Sequence, residues 1–258
     1  MTEATGTTDH GFDLTGRRAI VTGASTGIGA AIASRLAGAG ASVVAVSRSG
    51  RAPDADGVIG LVADLSDAGQ LDAVIERAVE QLGGLDILVN NAGFADRVPL
   101  ADLDRATFDR FIDLNMWAPI RLCQLAHPHL AACEGAAVVM IGSIDAHRPS
   151  VGALTYGATK AAMGSAIVTM AKEWMNDGIR VNQVDPGLID TPLAGEVVAA
   201  IRADDARINM VGRVGEPDEV AALVHYLVAP SGRFANAASF LVDGGALSLG
   251  PSDLRDHA

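Results

Sequence analysis

Arg18-Ala19-Ile20-Val21-Thr22-Gly23-Ala24-Ser25-Thr26-Gly27-Ile28-Gly29 is a short apolar run that ends in a turn carrying three glycines. The run reads as a buried parallel strand. An alanine-rich stretch with helical spacing follows over residues 28–39 and stops at Gly40, which reads as the crossover helix. Gly23, Gly27 and Gly29 leave the backbone bare where strand turns into helix. Backbone N–H groups and the positive end of a helix can approach a pyrophosphate at such a turn. Elsewhere in a chain these glycines would read only as a tight turn. At this junction the loop reads as a dinucleotide cradle, with Ser25, Thr26 and Ile28 as part of it.

The pattern repeats along the chain. Strands are predicted at 42–47, 58–63, 85–89, 136–141, 180–184 and 239–242. Helices are predicted from an N-cap at Ser66 to Leu82, over 106–132 with a break near Pro128, over 155–177 and over 217–228. Residues 48–57, rich in Asp, Gly and Pro, are barely long enough for a parallel crossover, so an irregular connection is expected. The fold class is α/β: a doubly wound, Rossmann-like parallel sheet of about seven strands with helices on both faces. A single domain is expected over 14–250, between a polar leader (1–13) read as disordered and a C-terminal tail (251–258).

A formal charge of −12 argues against nucleic acid or an anionic membrane as partner. No apolar run reaches the ~18 residues of a membrane span, and the leader lacks the apolar core of a signal peptide. Cys123 and Cys133 read as free thiols, which fits a reducing cytoplasm. His127 and His129, two apart on a helix, are a poor metal pair, and no metal site is read.

Ser143 follows the fifth strand, at the sheet edge where open α/β folds hold ligands. Tyr156 and Lys160 open the next helix, four residues apart and on one face. Tyrosine loses its proton near pH ~10, so a tyrosine used at neutral pH calls for a nearby cation, and the lysine can supply it. With the glycine loop upstream, the set reads as a hydride-transfer site. At the end of the second strand stand Ser47 and Arg48, with no acid to meet a ribose 2′-hydroxyl. A hydroxyl and a guanidinium suit a 2′-phosphate, so NADP(H) is favoured and NAD(H) is the alternative. The bland alternative is that Arg48 points into solvent at the start of the crossover. Asp64 is placed to accept from an adenine amino group, with the Leu65 N–H donating, or else to cap a helix.

These residues resemble the short-chain dehydrogenase/reductase family, in its branch of roughly 250 residues. The motifs are Thr-Gly-x-x-x-Gly-x-Gly at 22–29, Ala-Asp-Leu at 63–65, Asn-Asn-Ala-Gly at 90–93, Asn115, Ser143, Tyr-x-x-x-Lys at 156–160, Pro-Gly-x-x-x-Thr at 186–191 and Val-Asp-Gly-Gly at 242–245. The resemblance implies Tyr156 as general acid/base and Ser143 as holder of the substrate oxygen. Lys160 would bind the nicotinamide ribose and lower the tyrosine pKa, and Asn115 would anchor a proton relay through it. Asn91, Ala92 and Gly93 would line the cofactor cleft, and Pro186, Gly187, Ile189 and Thr191 would close it around the carboxamide.

Three places depart from the family pattern, the first being the crossover at 48–57, which is shorter than usual and bears on the adenosine contacts. Asp185 stands where a small or neutral residue is usual; it reads either as a carboxylate near the nicotinamide or as a loop residue capped by amides. Asn236-Ala237 replaces the common Thr-Gly, which reads as a packing change. Residues 193–210 would form a lid, with Leu193, Val197, Val198 and Ile201 as an apolar stripe that suits a substrate or plain helix packing. Asp145 and His147 can reach the pocket mouth or face solvent.

The expected partner is a small ketone or secondary alcohol. The segment 130–137 carries an acid and no base, which disfavours a substrate on an acidic carrier protein. An NAD-dependent alcohol dehydrogenase is the runner-up. A non-catalytic dinucleotide sensor and a sugar-nucleotide epimerase are disfavoured by the intact Ser-Tyr-Lys set and by the chain length. The resemblance also implies a homo-oligomer, tetramer or dimer, built on the helices at 106–132 and 155–177.

Overall fold

The computed structural model describes residues 11–204 and 207–250. Seven parallel strands form one sheet in the order β3-β2-β1-β4-β5-β6-β7. They are β1 (Arg18–Thr22), β2 (Ser42–Ser47), β3 (Val58–Val62), β4 (Ile87–Asn90), β5 (Ala137–Ile141), β6 (Arg180–Pro186) and β7 (Ser239–Val242). Between them run α1 (Gly27–Gly38), α2 (Ala68–Leu82), α3 (Arg105–Ile112), α4 (Ala118–Ala131), α5 (Leu154–Glu173), α6 (Gly195–Asp204) and α7 (Pro217–Val228).

Alternation along the strands divides the apolar side chains between two cores. Ile20, Val44, Leu88 and Val138 face Leu71, Leu122 and Ile167 of α2, α4 and α5. Val21, Val43, Val89 and Val139 face Ile32 of α1 and Val224 of α7. The chain order reverses between β1 and β4, which opens the crevice where this class of sheet takes its ligand.

Several predicted boundaries move. Asp67, not Ser66, caps α2: its carboxylate accepts from the Gly69 and Gln70 amides. An aspartate one residue nearer the helix fits both N–H groups, whereas Ser66 turns back onto Asp64. The long helix predicted over 106–132 is broken, but not at Pro128, which sits inside α4. The interruption is a π-helical turn, Asp113–Trp117, closed by the Ala118 amide on the Asp113 carbonyl. Residue 119 is proline, so the Asn115 carbonyl cannot accept the regular helical bond from it.

The connection between β2 and β3 holds no helix, as expected. Of the expected leader, residues 1–10 lie outside the described residues, as does the tail 251–258. Gly11 and Phe12 are tied down instead, their carbonyls accepting from the Ser231 amide and the His225 ring. Among the described residues no helix is long and apolar enough to cross a membrane.

Candidate active site

A cleft of about 530 Å³ lies at the carboxyl ends of β4, β5 and β6. Asn91, Gly93, Ser143, Tyr156, Lys160, Pro186, Gly187, Ile189 and Thr191 all line it, with Ile28 at the start of α1. A neighbouring groove of about 590 Å³ runs beside Val98–Leu100 and α5 but contains none of Ser143, Tyr156 and Lys160. The first, which gathers Ser143, Tyr156 and Lys160, is the candidate active site.

The floor of the cleft is stapled together by Thr22 and Asn91. The Asn91 amide group donates to the carbonyls of Thr22 and Gly23, and the Thr22 hydroxyl accepts from the Asn91 and Ala92 backbone N–H groups. Gly23 has φ +65°, and a Cβ there would stand 2.8 Å from the Ala92 Cα. At Gly29 a Cβ would run into Asn91 and the Gly23 carbonyl. Thr26 precedes α1 in extended conformation with no side-chain cap, and no acid occupies the first turn. A helix start with free N–H groups above a bare glycine turn is a fitting cradle for a dinucleotide pyrophosphate.

Ser143 Oγ accepts from the Asp145 amide at 3.1 Å, which leaves its O–H to donate. Lys160 is buried and gives its ammonium to the Ile141 carbonyl at 2.7 Å. It stands 5.7 Å from the Tyr156 ring centre. The expected fall in the tyrosine pKa is not found. Burial pushes Tyr156 up to about 12; the Ser143 hydroxyl opposes this by hydrogen bonding, while Asp145 and Asp185 add to it. Burial likewise draws Lys160 down to about 8, against the pull of Asp185. Desolvation outweighs the i, i+4 spacing.

A family model described as Enoyl-(Acyl carrier protein) reductase matches residues 23–246. A cis-4-hydroxycyclohexanecarboxylate dehydrogenase of Sinomonas cyclohexanicum is 35% identical over 239 residues, 89% of this chain and 96% of that protein. A D-threitol dehydrogenase of Mycolicibacterium smegmatis is 31% identical, over 92% of this chain and 95% of its own length. The crystal structure of a short-chain dehydrogenase from Burkholderia cenocepacia in complex with NADP superposes with TM-score 0.81 at 37% identity, covering 91% of this chain and 99% of that one. The chain belongs to the short-chain dehydrogenase/reductase family. It is an NAD(P)-dependent oxidoreductase of CH–OH donors.

On the short-chain dehydrogenase/reductase frame, the other predicted residues fall as follows. Ser47 is buried at the end of β2 with its hydroxyl 3.4 Å from that of Ser49, and Arg48 is exposed. Asp64 neither caps α2 nor stands free. It accepts from the Ser66 hydroxyl and amide, which lower its pKa. Leu65 is buried. Asn115 clamps the Phe94 backbone, accepting from its N–H at 2.7 Å and donating to its C=O at 2.8 Å. Leu193 and Val197 of the predicted stripe line the cleft, whereas Val198 packs inward.

Asp185 is a strand residue rather than a loop residue, because β6 continues to Pro186 beside Val242 of β7. His147 turns onto Asp185 at 2.8 Å instead of lining the cleft. Phe94 is the residue that sequence reasoning misses, because it carries no local signal; Thr22 opens the glycine motif, but its hydroxyl's bonds to the Asn91 and Ala92 amides are visible only in the fold.

Proposed function

We propose that the chain moves a hydride between NADP(H) and a small free ketone or secondary alcohol, with Tyr156 as the proton carrier. The observation that carries this reading is the convergence of Ser143, Tyr156 and Lys160 in one cleft that Ile28 of the glycine turn and Asn91, bonded to Gly23, also line. Bound there, the nicotinamide would supply or accept the hydride.

The chain's own residues handle the oxygen and its proton. The Ser143 O–H donates to the substrate oxygen and fixes it beside the phenol. Tyr156, a phenol at neutral pH, gives its proton to that oxygen as it gains charge during reduction. Oxidation needs the phenolate and therefore gains as pH rises. Lys160 carries a cation into the cleft to hold the ribose. Asn115, clamped to Phe94 on the π-helical turn, keeps the cleft wall beside Gly93 and turns its carbonyl to the proton relay.

Arg48, with Ser47 and Ser49 beside it and no acid at this strand end, supports NADP(H), as does the NADP in the Burkholderia cenocepacia relative. Phe94, Leu193 and Val197 offer apolar walls, and Asp96, Arg97 and Glu196 a polar rim. Such a lining suits a compact substrate with an apolar body. The charge of −12 weighs against an acidic carrier protein. The free thiols Cys123 and Cys133 support a cytoplasmic setting.

The test is a fluorescence titration with NADPH and NADH in parallel. NADPH is expected to bind at least tenfold more tightly, about 1.4 kcal/mol, and Arg48→Ala to erase most of that margin. Tighter NADH binding would reassign the cofactor. Tyr156→Phe is expected to lower turnover by about 10²–10⁴-fold with NADPH affinity kept; retained turnover would remove Tyr156 from its role.

A further inference from the structure

Asp185 is a carboxylate that hydride transfer does not use, and it is 0% exposed. Its Oδ1 accepts from Gln183 Nε2 at 2.7 Å and from the Ser143 backbone N–H at 3.2 Å. Its Oδ2 meets His147 Nε2 at 2.8 Å. The surroundings are shaped to hold it. A Cβ at Gly142 would collide with Asp185 Oδ1, so glycine there makes room for the carboxylate. Gln183 turns its NH₂ to Asp185 although this leaves its own buried Oε1 without a partner among the described residues. His147 is 42% exposed at its side chain and reaches in from the surface, so it stands between the carboxylate and water.

The titratable groups that face this pair are few. The Asp185 charge acts on Tyr156 and Lys160 of α5, raising the pKa of each, and Asp145 lies on the same turn as His147. Arg148 is turned away onto the carbonyls of Ala246 and Leu249. Leu241 of β7 lies opposite Asp185 in the sheet and brings no charge.

Burying a carboxylate costs several kcal/mol unless its partners are well placed. Here they are placed so that one of them is the backbone of the serine facing the substrate. We propose that Asp185, latched by His147, is a positioning residue that anchors Ser143 from the neighbouring strand and sets the electrostatic potential at Tyr156. The proposal rests on the reading of Ser143 and Tyr156 as the reacting pair. The carboxylate fixes the backbone from which the serine side chain projects. Its charge disfavours the phenolate and so keeps Tyr156 in the proton-donating form.

The chain has two tyrosines, so ring-¹³C-labelled protein in a Tyr226→Phe background reports Tyr156 alone. In that background Asp185→Asn is expected to lower the pH of Tyr156 ionisation by about 0.5–1 unit, with NADPH affinity unchanged. His147→Ala is expected to speed hydrogen exchange of the Ser143 amide by about tenfold (about 1.4 kcal/mol of protection). The Gly142 amide, bonded to the Val184 carbonyl, should stay at its wild-type rate. His147→Gln, which keeps a donor, should restore the Ser143 rate. An unmoved Tyr156 ionisation in folded Asp185→Asn overturns the proposal. If that variant does not fold, an unchanged Ser143 amide in His147→Ala overturns it. Loss of NADPH binding by the wild-type protein would instead count against the proposed function and leaves both readouts intact.

Discussion

At the scale of single residues, the site is governed by desolvation. Lys160 is drawn from 10.5 down to about 8 by burial. The unfolded chain therefore holds a proton that the folded one has lost between those two values, and stability rises with pH across that window. Tyr156 works the other way, since its ionisation is raised from 10.0 to about 12 and stability is lost as pH climbs through that range. Urea unfolding of the wild type and Lys160→Met at neutral pH and near pH ~10 separates the two. The difference should move in favour of the wild type by up to about 3 kcal/mol. A flat difference would mean that the ammonium is not desolvated.

At the scale of elements, capping and proline chemistry place the helix ends. Asp67 satisfies two of the orphan amides of α2 with one carboxylate. Asp67→Ala should lower the midpoint of chemical unfolding, because two helix amides lose their acceptor. Ser66→Ala, which only loses a bond to Asp64 on the surface, should stay within about 0.5 kcal/mol. The reverse order would restore Ser66 as the cap. α7 is held by a capping box between Glu216 and Glu219, with Pro217 in its first turn. The π-helical turn has the opposite character: Pro119 keeps a carbonyl out of the ladder at Asn115, beside the cleft.

At the scale of the whole molecule, the sheet separates two cores and brings the cofactor cradle and the Ser-Tyr-Lys set to one edge. The outer face of α5 exposes Leu154, Ala158, Ala161, Ser165 and Thr169, small and flat enough for another helix to pack closely. We expect a homodimer or homotetramer through this face and α4. Light scattering should give a mass of two or four chains, and Ala161→Arg should lower it. A monomer at all concentrations would sink the assembly.

What acts over a few residues was legible in the chain. The limits of α7 and β7 follow from Pro217 and from a short apolar run, and they stand where the pattern puts them. The glycine turn after β1 and the order of strands and helices were legible for the same reason: backbone conformation at a glycine and apolar periodicity act over a few residues. The convergence of Ser143, Tyr156 and Lys160 was legible because each sits at a strand or helix end on the same sheet edge. Tertiary structure decided the rest. Asp185 could be singled out as unusual but not as buried, since its partners Ser143 and His147 lie 42 and 38 residues away in the chain. The ionisation of Tyr156 likewise depends on how much water the fold removes, which the lysine four residues on cannot report.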